Sequence, residues 1–79
     1  MNRIAYTSHA THWMRMRHIT PHEVKVALAD PEIHYPGHGG RTEIRTHLRG
    51  RLLRIASDLH RGTCLVLSVV APEEEPDAA

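Results

Sequence analysis

Seventy-nine residues make one small domain, enough for a thin core and modest stability. One cysteine, Cys64, excludes an internal disulfide and fits a reducing compartment, and no apolar run is long enough for a membrane span or a secretory signal, so a cytoplasmic location is expected. The formal charge is only +1, yet four of the nine acids fall at 73–79, so residues 1–72 hold ten Lys and Arg against five acids, a net of +5 that suits an anionic partner.

Nine of those ten bases are arginine. Arginine makes forked contacts to phosphate that lysine cannot. A high-GC genome also favours arginine over lysine, which accounts for the ratio but not for the charge of the body.

Ile4 and Tyr6 alternate, as in a brief strand or an extended lead-in. Thr7 or Ser8 is placed to cap a first helix by accepting backbone N–H bonds, and this helix should end near His18. Wound at roughly 100° per residue, SHATHWMRMRH gathers Ala10, Trp13, Met14 and Met16 on one side. Arg17 falls near the middle of that apolar side and His9 at its edge. An arginine under a small core keeps its charge and needs an acceptor. Two readings stand: Arg17 snorkels past Trp13 and Met14 to water, or it forms an anion site with an imidazole beside it.

Thr20-Pro21-His22-Glu23 predicts a second helix start, with Thr20 as cap, Pro21 in the first turn and Glu23 closing a capping box. Val24, Ala27 and Leu28 line one face, and Asp30-Pro31 ends it. From Glu32 the period changes to two. Ile33 to Tyr35 is a short strand, followed by the Gly-rich loop Pro36 to Gly40. Thr42 to Leu48 is a second strand and Arg49-Gly50 a turn. Arg51 to Ser57 is a third strand, with Leu53 and Ile55 opposite to Leu52 and Arg54. Asp58 to Gly62 reads as a turn. TCLVLSVV, Thr63 to Val70, is the most apolar and β-branched segment and should be a central, well-covered strand in which Cys64 is buried. Pro72 stops it. The expected organisation is one α+β domain over 1–72 and an acidic, disordered tail over 73–79.

The eight histidines form no ligand frame: there is no second cysteine and no His-Glu-x-x-His helix. No metal site and no cofactor are expected. Ser8, Ser57 and Ser68 lack elbow glycines, and the Gly37 to Gly40 loop precedes a strand, which is not the frame of a nucleotide-binding loop. Cationic and imidazole chemistry remains. RNA can be cut with a histidine for proton transfer and fixed arginines for the phosphate charge, because its own 2′-OH is the nucleophile. His9 and Arg17 supply the first parts. Arg54, between apolar Leu52 and Ala56, either sits at an edge in solvent or adds a cation if its face looks toward the helix.

The run YTSHATHWMRMRHITPHEVKVALADPEIHYPG resembles the opening of the bacterial domain-of-unknown-function family 4258. The matching residues are Ser8, His9, Ala10, Met14, Arg17, Ile19, Thr20, Asp30 and Pro31. Gly50-Arg51-Leu52-Leu53-Arg54-Ile55 resembles that family's Gly-x-x-Leu-Arg-Val strand, and Ser68 to Val70 stands where it has Thr-Val. Trp13 replaces a common arginine and His18 a common glycine. The family is similar to RelE-like toxins and to the barnase, EndoU and colicin-type ribonucleases. The resemblance implies catalytic or phosphate-binding roles for His9, Arg17, Arg54 and Ser68.

The sequence thus supports a RelE-like α+β fold, two N-terminal helices on an antiparallel three- to four-stranded meander. The function it supports is a metal-independent endoribonuclease toxin or a relic of one. Arg15, Arg45, His47 and Arg51 are the expected RNA contacts. The expected partners are RNA and a companion antitoxin, with self-association as a homodimer left open. The alternative is a non-catalytic module binding nucleic acid or protein.

Overall fold

The computed structural model describes residues 3–72. The chain runs β1 (Arg3–Tyr6), α1 (Ser8–Met16), α2 (Pro21–Ala29), β2 (Ile33–Pro36), β3 (Arg41–Leu48), β4 (Arg51–His60) and β5 (Thr63–Val70). The α+β class is as expected. The sheet is larger, with five strands in the order β1-β5-β4-β3-β2. The extra strand is β1, which pairs parallel to β5 and makes the sheet mixed. The alternation of Ile4 and Tyr6 allows the strand itself, but its partner lies at the other end of the domain, so no local signal announces the pairing. The expected acidic tail falls on residues 73–79, outside the described residues.

Thr7 caps α1: its side chain accepts the Ala10 N–H at 3.0 Å. The same hydroxyl donates to the Leu67 carbonyl at 3.0 Å. Leu67 is the extra residue of a bulge, since Ala56 pairs with Ser68 and Ser57 with Val66. The bulge bends β5, and the cap ties α1 to it.

The helix stops at Met16, two residues before the expected end. His18 lies in the left-handed region, at φ 56. Its N–H donates to the Arg15 carbonyl at 3.3 Å, and the Ile19 N–H to the Met14 carbonyl at 2.8 Å. This is a Schellman closure, with Ile19 and Met14 both buried beneath it. Helix α2 starts as predicted. Thr20 and Glu23 form the reciprocal box, with Thr20 N–H to Glu23 Oε1 at 2.9 Å and Glu23 N–H to Thr20 Oγ1 at 3.1 Å. Asp30 is its C-cap.

The third predicted strand continues three residues past Ser57, through Asp58, Leu59 and His60. The turn is only Arg61-Gly62. Both Arg-Gly pairs, 49–50 and 61–62, have positive φ at both residues, the conformation whose twist matches a two-residue hairpin.

One cluster holds Ala10 and Met14 of α1, Val24 and Ala27 of α2, and Ile44, Leu53, Ile55, Val66 and Val69 of the sheet. Both helices therefore cover the same side. The other side of β3, β4 and β5 has no buried residue among the described ones. Thus β5 is interior in strand order but covered on one side only, and Cys64 is half-buried. Met16, expected in the core, is 61% exposed, because the core side of α1 narrows to Ala10 and Met14.

Candidate nucleic-acid interface

Alternation fixes which strand residues face away from the helices. Ile44 and Thr46 are buried, as are Leu53 and Ile55, so Arg45, His47 and Arg54 point to the open side. Arg54 thus faces away from the helix layer, not toward it. Arg41 pairs in register with Asp58, Arg45 with Arg54, and His47 with Leu52. On its other flank Arg54 pairs with Val70, and Ser68 pairs with Ala56 one step along the same side. Of the sequence-derived candidates, Arg45, His47, Arg54 and Ser68 come together on one sheet face.

The charges there are unevenly compensated. Arg41 has Asp58 across the ladder. Arg45 donates through Nε and Nη2 to Glu43 Oε2, each at 3.3 Å, and its guanidinium lies 5.1 Å from the centre of the Tyr35 ring. Neither residue in register with Arg54 is an acid. It is half-buried and opposite a second arginine. Like charges directly across a ladder are unfavourable, and an anion placed between them reverses that sign.

His47 completes the face. It is a diagonal neighbour of Arg54, within about 7–8 Å in such a ladder. Glu32 holds it twice: Oε2 accepts the His47 backbone N–H at 3.2 Å, and Oε1 lies 2.9 Å from Nδ1. These bonds from His47 hold the Glu32 carboxyl below its ordinary range, the ring bond contributing most. A carboxylate on Nδ1 orients an imidazole and assigns proton exchange with a substrate to Nε2. Glu32 is not among the sequence-derived candidates. Fifteen residues separate it from His47, and only the β2–β3 pairing makes them neighbours. Tyr35 escapes sequence reasoning for the same reason.

The helix-borne candidates lie on the opposite layer. His9 is exposed and not on the sheet-facing side. Its ring meets Trp13 edge-on at 6.3 Å, and His12 does so at 5.3 Å. Arg17 is the half-buried C-cap of α1, its guanidinium 5.2 Å from the Trp13 ring centre and its Nε buried. Arg51 alternates with Leu53 toward the helices, where its Nη2 donates to the Arg17 carbonyl at 2.6 Å, a cation at a helix C-terminus. Arg15 is exposed on α1. His9, Arg17 and Arg54 therefore do not make one site; the sheet stands between them.

Among the described residues no three His, Cys, Asp or Glu side chains gather as metal ligands, and no helix is long and apolar enough to cross a membrane. No family model, curated protein or solved structure matches the chain.

Proposed function

We propose that this chain is a metal-independent endoribonuclease of the RelE-like kind, working on the open face of its sheet. The observation that carries this reading is the Arg45–Arg54 pair with the Glu32-held His47 beside it. The two guanidiniums bracket an RNA phosphate and stabilise the charge that builds on it. His47 takes the proton of the 2′-OH. The 2′-oxygen then bonds to phosphorus, the bond to the 5′-oxygen breaks, and that oxygen takes a proton from water. Ser68 adds a hydroxyl at the β5 side of the same face. The acid–base role thus passes from His9 to His47.

Binding without cleavage is the second reading, favoured by Arg45 on the Tyr35 ring, a stacking and cationic platform suited to single-stranded RNA. One experiment separates them. Purified protein is incubated with RNA and with DNA of the same sequence in EDTA. The expected result is RNA cleavage to 2′,3′-cyclic phosphate ends with DNA intact, and a roughly 100-fold or greater loss in His47→Ala. Binding that never leads to cutting supports the second reading. Loss of cleavage in folded His9→Ala but not in His47→Ala returns the chemistry to α1.

A further inference from the structure

The helix layer holds a second polar concavity. Ser8, Thr11, His12 and Arg15 follow the i, i+3, i+4, i+7 spacing and share one side of α1. Half-buried Tyr6, at the end of β1, walls that side. Together these five residues line a cavity of about 340 Å³, which falls in the range of small-molecule sites.

The composition of the wall selects its occupant. It presents three hydroxyls, an imidazole and a guanidinium, and no carboxylate. Nothing there attracts a cation, and little favours an apolar ligand. The first turn of α1 also has no acid, so the helix end adds to the positive potential. Burial, and secondarily Cys64, raises the Tyr6 pKa from its ordinary 10.0, which keeps the phenol protonated as a donor. A phosphate monoester offers three terminal oxygens, one more than a diester, and matches a wall rich in donors.

We propose that this pocket binds a phosphate monoester, with Arg15 as the fork and the Ser8, Thr11 and Tyr6 hydroxyls and His12 as the remaining donors. The site is separate from the Arg45–Arg54 face and stands whether or not that face cleaves RNA. The phosphate can belong to a free mononucleotide or to the 5′ end of an RNA.

The test is titration of the full chain, followed by amide NMR shifts and calorimetry. The probes are inorganic phosphate, adenosine 5′-monophosphate, adenosine, and one short RNA with a 5′-phosphate or a 5′-hydroxyl. Phosphate and the monophosphate should shift Thr11 and His12, and adenosine should not. Arg15→Gln should weaken the monophosphate at least tenfold and Ser8→Ala less, with melting temperatures retained because both side chains are exposed. Lys25→Gln, an exposed cation elsewhere, should leave it unchanged. Tighter binding of the 5′-phosphorylated RNA, abolished in Arg15→Gln, identifies an RNA end as the source. Equal binding of the two RNAs alongside monophosphate binding identifies the free nucleotide. Adenosine binding as well as its monophosphate, or equal monophosphate affinity in Arg15→Gln and wild type, overturns the proposal.

Discussion

Arg45 and Arg54 stand in register across β3 and β4, on the side of the sheet that neither helix covers. Glu43 compensates Arg45, whereas the residues across from Arg54 are Arg45 and Val70. Like charges directly opposite each other in a ladder are destabilising. Under the proposed RNA-binding role, stability and binding pull in opposite directions at this position.

Replacing Arg54 by threonine should stabilise the fold by up to about 1 kcal/mol, since a β-branched neutral residue suits a strand and removes the repulsion. The same change should weaken RNA binding and lower the slope of log K against log salt by about 0.7 for each phosphate no longer neutralised. Chemical denaturation and a salt series of RNA titrations measure the two effects. A less stable protein with undiminished RNA affinity would contradict both halves.

His18 takes the left-handed position that closes α1, where a side chain costs about 1–2 kcal/mol and glycine avoids that strain. His18→Gly should be stabilising, by roughly 0.5–1 kcal/mol after the extra chain entropy of glycine. In a domain of this size that is a melting temperature several degrees higher. His18→Val should fall below wild type, because a β-branched residue is worst suited to positive φ.

Glu23 gives the fold an acid-sensitive point. Its carboxyl is held below the ordinary 4.5, first by the Thr20 backbone N–H and then by Arg49, whose Nε lies 3.7 Å away, with burial opposing. A depressed folded pKa contributes stability that is present above 4.5 and is lost as pH falls through the lower folded value. Glu32 acts in the same direction. Melting temperature should therefore drop on acidification below about 4.5, and Glu23→Gln should flatten part of that drop while retaining the cap bond. Thr20→Ala should cost about 1 kcal/mol at neutral pH.

Gly40 is held backbone to backbone against β4. Its carbonyl accepts the Leu59 N–H at 2.9 Å, and a Cβ there would collide with the Leu59 carbonyl oxygen. The obstacle is main chain and cannot rotate away. Gly40→Ala should destabilise by roughly 1–3 kcal/mol, read by urea denaturation, with an unchanged midpoint counting against this packing.

Local chemistry makes much of the fold legible. Thr20-Pro21-His22-Glu23 announces α2 through a box that needs four consecutive residues. Arg49-Gly50 announces a hairpin, and the alternation of Leu53 and Ile55 with Arg54 separates two faces. The end of α1 is read two residues late because histidine, not glycine, occupies its left-handed position. Asp58 to His60 reads as turn because the segment is short and polar; its strand conformation comes from pairing with β3 and β5. The candidate site is legible in residue type and not in grouping. Arg45, His47, Arg54 and Ser68 stand out in the sequence, but so do His9 and Arg17, which lie on the other layer.

The sequence by itself determined the start of α2, the hairpin at Arg49-Gly50, the excess of arginine and which strand residues share a side, because caps, turns and a period of two are set within a few residues. Only the tertiary structure decided which side is open and which side chains meet there. That depends on both helices lying over one side of the sheet, on β1 reaching β5, and on the register that sets Arg45 against Arg54 and Glu32 against His47. Register is a contact between distant segments, and a slip of one residue would turn every one of these side chains to the other face.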